Sequence, residues 1–225
     1  MALAQGERFG LERMNAHADF SAIPSSLRFL LSRSSVAPKT LVPPGPNVEE
    51  IQLLIASAVT APDHAGLRPW RFIAVEGYGR QQLSQAFVEI RRRRNPGIRP
   101  VELAMTWKKT MRAPTLIAAV ARLDDGHPKV PLHEQYISVG AAIHGLMLAA
   151  HALGYGAIML SGKRAGDPLI RALFGLATHE QMIGFVSIGT PAKIISPKTR
   201  PEPADHLQIW RGDENFSLKR QPTKA

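Results

Sequence analysis

Residues 136–153 read "YISVGAAIHGLMLAAHAL", and no other stretch restricts the fold so strongly. The run, taken from about Gln135, carries apolar and small side chains on every helical face. It stops at Gly154, which can supply the left-handed C-terminal cap without steric cost. Its length approaches a membrane span, but His144 and His151 lie within it and no basic flank sets an orientation. The pattern therefore predicts a helix at the buried centre of a fold or of a dimer. Both histidines are expected to be buried and hydrogen-bonded there.

The elements around it alternate. Ser25 or Ser26 is placed to cap a short helix through Leu31, which ends in the polar turn Ser32–Ser35. After the connector "PKTLVPPGPN", Asn47 caps a helix with Val48, Ile51, Leu54, Ile55 and Ala58 at helical spacing. Pro62 ends it, because proline disfavours helical geometry in the residue before it. "RFIAVEG" reads as a strand and "RQQLSQAFVEIRRRR" as a helix whose basic end suits the macrodipole. A second amphipathic stretch covers 101–111, and "APTLIAAVA", "YGAIML" and "MIGFVSIGTP" read as strands. A further helix starts at Asp167-Pro168 and stops near Gly175. Strands mixed with helical crossovers predict an α+β domain, a central mixed sheet covered by helices, over 25–210. Residues 1–24 read as an extension and 211–225 as a loose tail.

Inventory removes several chemistries. The chain of 225 residues has no cysteine, so disulfides, thiolate metal sites and cysteine nucleophiles are excluded. The default compartment is the cytoplasm, because charges interrupt residues 1–24 where a secretory signal needs an apolar core. No G-x-S-x-G elbow is present. Asp124, Asp125, His127, His133 and Glu134 cluster in one loop, but their spacing fits no zinc signature and a solvated loop is the better reading. The formal charge of +10 admits nucleic acid, a membrane surface or an anionic small ligand. The run Arg91–Arg94 lacks the interleaved aromatics of a nucleic-acid site, so neither nucleic acid nor membrane is the expected partner.

A chain without nucleophile, metal set or acid–base pair can still be an enzyme when a cofactor carries the hard chemistry. It then needs an anion site and polar contacts around a flat ring. Arg33-Ser34-Ser35 offers a guanidinium and two hydroxyls for a phosphate. The plainer alternative is a helix-end arginine followed by turn serines. Asp63 and His64, in "APDHAGLRPWRF", lie in a loop between rigid elements where side chains can face a ligand. An Asx-turn beside a solvated histidine is the competing reading.

Taken in order, Arg-Ser-Ser, Ala-Pro-Asp-His with Pro-Trp-Arg-Phe, "RAPTLIAAVA", "GAAIHGLMLAAHALGYGAIMLSG" and "GFVSIGTP" resemble the FMN-dependent nitroreductases, in their compact single-domain branch. The similarity spans about residues 26–210. It implies an intertwined homodimer with FMN between subunits, helix 135–153 in the dimer core, and NADH or NADPH as reductant. The implied reaction is ping-pong hydride transfer to an electron-poor small-molecule acceptor such as a nitroaromatic, quinone or enone. By the same resemblance Arg33, Ser34 and Ser35 hold the ribityl phosphate, with Lys193 a further phosphate ligand. His64 lies against the flavin, and Met159, Leu160, Ser161 and Gly162 pass close to the ring. Ala149, Ala150, His151, Ala152, Leu153 and Gly154 match the nicotinamide nucleotide stretch. Thr60 and Leu160 stand at cofactor-contact positions that can be arginine in compact relatives, which implies a less cationic pocket. No catalytic side chain and no metal are implied. A flavin-binding or flavin-consuming protein without nicotinamide turnover is the alternative, since a fold does not fix its chemistry.

Overall fold

The computed structural model describes residues 23–195, 198–210 and 212. The extension 1–22 and most of the tail beyond Trp210 lie outside them. Pro24–Pro197 form one compact unit. The described residues from Lys198 onward belong to a second unit and contain a single 3-10 turn, Pro203–His206.

In chain order the compact unit holds α1 (Ser25–Ser32), β1 (Leu41–Val42), α2 (Val48–Ala58), β2 (Trp70–Ala74), α3 (Gly77–Arg94) and α4 (Pro100–Met111). Then come β3 (Thr115–Arg122), α5 (Leu132–Ala152), β4 (Gly156–Leu160), α6 (Pro168–Leu173) and β5 (Glu180–Pro191). The α+β reading holds, and each helix and strand expected from periodicity is present. At α2 the expected cap is a full capping box: Asn47 accepts from the Glu50 amide while Glu50 accepts from the Asn47 amide, both at 2.8 Å. At α1 the expectation fails. The helix begins at Ser25 behind Pro24, whose carbonyl accepts the Arg28 amide at 3.0 Å, and neither serine caps it.

β5 is the axis of the sheet. It pairs with β3 on one side and β4 on the other, β2 flanks β3, and the two-residue β1 joins the end of β5. All these ladders run antiparallel, and the parallel component is the isolated bridge between Ser35 and Ala157. Both faces are covered, which is why "TLIAAVA" is an unbroken apolar run rather than an alternating one. Ile117, Ala119 and Ala121 of β3 pack under α2 and α5 with Leu54, Ala142 and Leu146. Leu116, Ala118 and Val120 face α3 and α6 with Leu83, Ile90 and Ile170.

α5 corrects the strongest expectation from the sequence. It buries one face, Gln135, Ser138, Val139, Ala142, Ile143, Leu146 and Ala150, and leaves Tyr136, Ile137, Gly140 and His144 exposed. Ile137 is 67% exposed. His144 is thus not a buried histidine within one chain. The helix looks apolar all round because a second apolar face has no cover inside the compact unit. Among the described residues no helix is long and apolar enough to cross a membrane.

Candidate functional site

The site is built where the chain leaves α1. Arg33 abandons helical geometry (φ −58°, ψ 127°) and the extended backbone runs onto the free edge of β4. Ser35 bridges Ala157, and the Val36 amide donates to the Ala157 carbonyl at 3.1 Å. This pairing buries Ser34 and turns Ser35 into a cavity of about 160 Å³, shared with Thr40 and with Lys193 just beyond β5. Two of the predicted phosphate positions, Ser35 and Lys193, meet there although they lie far apart in the sequence.

Ala37 also lines a second cavity of about 700 Å³, within the size range of small-molecule sites. Leu160, Ser161 and Gly162 line it at the end of β4. Gly162 (φ 139°) has no atom within 4 Å of where a Cβ would stand, so its backbone is open to a flat ligand. Gly184 of β5 lies beneath this segment. A Cβ there would come within 2.5 Å of the Leu160 carbonyl oxygen and 3.1 Å of the Ser161 Cα, so only glycine permits the approach. Met159 points the other way, into the core beneath α5, because successive strand residues face opposite sides.

The cavity is rich in cations. Lys39, Arg91 and Arg94 of α3, Lys109 and Arg112 at the end of α4, and Lys163 and Arg164 of the following turn line it, with no acidic side chain. Leu116, Ala165 and Phe185 provide a buried apolar floor. The basic end of α3 does structural work here. The Arg91 guanidinium donates to Thr106 Oγ1 at 2.8 Å and pairs with Glu102 at 3.3 Å, joining α3 to α4. Arg93 and Arg94 reach Asp167 at 3.0 and 3.4 Å, and Arg94 also donates to the Lys163 carbonyl at 3.0 Å. Asp167 accepts the Leu169 amide at 3.1 Å and so caps α6. Burial opposes its charge, but the Leu169 amide, Arg93 and Arg94 outweigh that and hold its carboxyl below the usual range. Arg164 lies over the Phe87 ring at 4.7 Å. Burial, with Arg91 and Arg94 nearby, lowers its pKa.

The other predicted residues lie elsewhere. His151 stacks on Phe29 of α1 with ring centroids 5.1 Å apart, and its Nε2 lies 2.8 Å from Ser32 Oγ. Ala150 is in the core, Ala149 packs against it, and Ala152, Leu153 and Gly154 are exposed. None of Ala149–Gly154 lines either cavity. Gly154 (φ 82°) caps α5 as expected. Thr60 is exposed and donates to the Ser57 carbonyl at 2.8 Å. In the Asp63 loop, the carboxylate accepts the Arg68 amide at 2.7 Å while Ala65 and Arg68 hold positive φ, which sends the chain back through buried Pro69 into Trp70. His64 Nδ1 lies 2.8 Å from Glu134 Oε2, at the beginning of α5. Glu134 and His151 are separated by most of the helix, roughly 25 Å at the usual rise. Within one chain His64 and Arg33 therefore lie toward opposite ends of α5.

Two of the loop side chains serve the backbone: Asp124 accepts the Gly126 amide at 3.1 Å, and His127 Nδ1 accepts the Val130 amide at 3.0 Å. Missed from the sequence was the contribution of α3 and α4 to the cavity. Its one visible signal was the arginine run, whose partners Glu102 and Asp167 become evident only in three dimensions.

The nitroreductase family model matches residues 30–190, and the chain belongs to that family of oxidoreductases. YdjA of Escherichia coli strain K12, whose name is that of an NAD(P)H nitroreductase, is 32% identical over 166 residues, 74% of this chain and 88% of YdjA. A nitroreductase-like protein from Bacillus cereus superposes with a TM-score of 0.71 at 23% identity, covering 84% of this chain and 97% of that one. Iodotyrosine deiodinase, solved with FMN and 3-iodo-L-tyrosine bound, gives a TM-score of 0.60 at 19% identity, over 83% and 98% of the two chains.

Proposed function

We propose that the protein is a homodimeric FMN-dependent oxidoreductase that uses NADH or NADPH to reduce an electron-poor small molecule such as a nitroaromatic, quinone or enone. The observation that carries this is the convergence of Ser35 and Lys193 on one small cavity that adjoins, at Ala37, the larger cavity lined by Leu160–Gly162. The donor set fits the group: hydroxyl and ammonium for a phosphate, with an open glycine backbone and an apolar floor for a ring.

In this reading Arg33, Ser34, Ser35 and Lys193 anchor the phosphate, and the main chain of Leu160–Gly162, propped by Gly184, positions the ring. FMN, when bound, would supply the two-electron chemistry that links the nicotinamide nucleotide to the acceptor, in a ping-pong reaction. The chain's remaining work is to orient and to exclude water. His64 acts on the site of the partner subunit, because its contact with Glu134 sets it at the end of α5 away from its own Arg33, and Thr60, at the end of α2, is read as acting there with it. The exposed face of α5 around Ile137 and His144 supplies the apolar contact between subunits.

The test is the purified protein itself. A flavin absorbance spectrum, FMN released on denaturation, and acceptor-dependent NAD(P)H oxidation are expected. A colourless protein that takes up no added FMN overturns the proposal, and flavin binding without nicotinamide oxidation leaves the flavin-binding alternative. Sharing of the site is tested by co-expressing Arg33→Ala and His64→Ala chains. Mixed dimers retain one intact site if each site takes Arg33 from one chain and His64 from the other, and none if each site takes both residues from a single chain.

A further inference from the structure

The outer side of α4 combines two features that the isolated fold does not use. The helix packs chiefly on α3, which covers the β3 face carrying Leu116, Ala118 and Val120. Its inner side, Glu102, Leu103, Thr106 and Thr110, is buried or half-buried. Its outer side carries Val101, Met105, Lys108 and Arg112 at helical spacing, with Lys109 and Met111 beside them, and all six are exposed. Val101 and Met105 are 56% and 47% exposed, and Trp107 at the edge of the stripe is 37% exposed. Glu102 is the single carboxylate of α4, and Arg91 and Arg99 hold it at 3.3 and 3.1 Å. The side chains of Lys108, Lys109 and Arg112 form no hydrogen bond or ion pair with any described residue. The exposed face of α5 lies on the other side of the sheet, so a dimer built through α5 leaves this surface outward.

We propose that the outer face of α4 is a peripheral docking surface for an anionic lipid bilayer. Lys108, Lys109 and Arg112 meet the headgroups, while Val101, Met105 and Met111 reach toward the acyl chains. Charge complementarity selects an anionic partner, in a chain whose formal charge is +10. The apolar stripe selects among anionic partners: a nucleic acid would engage the cations and leave Val101, Met105 and Met111 in water, whereas a bilayer takes up both. At twelve residues α4 is too short to span and lies in the plane of the interface, the level that suits Trp107. The sequence points away from a membrane because no aromatics interleave the arginine run; folding sets α4, with its tryptophan and methionines, against that run through the Arg91 contacts. The surface is independent of what the cavities hold.

The test is sedimentation of the purified full-length protein with phosphatidylcholine vesicles, with and without phosphatidylserine. Partitioning at low salt is expected to be about tenfold stronger on the vesicles containing phosphatidylserine and to fall as salt rises. Lys108→Glu/Lys109→Glu should abolish it. Val101→Ser/Met105→Ser, which leaves the charge unchanged, should weaken it, and Met105→Trp should strengthen it. The gain expected of Met105→Trp keeps the test decisive if a losing variant misfolds. Equal partitioning on the two vesicles, or binding that survives Lys108→Glu/Lys109→Glu, overturns the proposal. So does binding indifferent to the apolar substitutions, or binding to random duplex DNA in place of vesicles, since either marks a purely electrostatic surface. Assembly beyond a dimer that Val101→Ser/Met105→Ser abolishes, without vesicle binding, would assign the face to a further copy of the chain and overturn it equally.

Discussion

His64 Nδ1 lies 2.8 Å from Glu134 Oε2, and this contact fixes which end of α5 the histidine loop occupies. Both side chains are well exposed, at 55% and 40%, so the pair should contribute little to stability. Glu134→Ala is expected to change unfolding free energy by less than about 1 kcal/mol. It should nevertheless alter the tautomer balance of His64, read from imidazole nitrogen chemical shifts. Unchanged shifts would show that the contact does not orient the ring, and a large loss of stability would show that Glu134 does more than an exposed ion pair.

Arg80 is the buried fastener between α3 and the end of α4. Its guanidinium donates to the carbonyls of Pro114 at 2.9 Å, Thr110 at 3.4 Å and Ala113, and burial without a carboxylate lowers its pKa. Arg80→Met leaves these carbonyls without their donor and should cost about 2–4 kcal/mol in denaturant unfolding. Arg80→Lys should lie between, because an ammonium cannot reproduce the fork. A near-neutral Arg80→Met would mean that water replaces the guanidinium.

His151 gives the docking of α1 a pH dependence. Ser32 Oγ donates to the Phe29 carbonyl at 2.8 Å, so the hydroxyl accepts from His151 Nε2–H. Burial first, and the neighbouring Arg33 second, lower the pKa of His151 from its ordinary value of 6.5. The unfolded chain then takes up the proton before the folded one as pH falls. The stability contributed by neutral His151 is complete above 6.5 and is lost as pH drops through the lower folded value. Melting curves between roughly pH 5 and 8 should show a weakening that His151→Asn lacks. Parallel profiles for the two proteins would refute the linkage.

Gly184→Ala should force the end of β4 away from β5, since the added methyl would meet the Leu160 carbonyl oxygen at 2.5 Å. A destabilisation of about 1–3 kcal/mol is expected, the usual scale of overpacking. If Leu160–Gly162 hold the flavin ring, FMN affinity should fall as well. Full stability and full affinity together would show that the strand ends adjust freely.

Much of the molecule was legible in the chain itself. Element types follow from local periodicity and from caps such as Asn47 and Gly154, which depend on neighbours within a few residues. The ordered motifs carried the family. The sequence also marked Ser35, Lys193 and Leu160–Gly162, and these do line adjoining cavities. What only the tertiary structure decided was which residues share a place. A 21-residue helix between His64's partner Glu134 and His151 separates two motifs that read as one pocket, because a rigid helix converts sequence distance into length. Folding also brought Lys39, Lys109, Arg112 and Lys163 around one cavity and paired Arg91, Arg93 and Arg94 with Glu102 and Asp167. Charge pairing of that kind depends on separations of a few ångströms between distant segments, and local pattern carries no record of them.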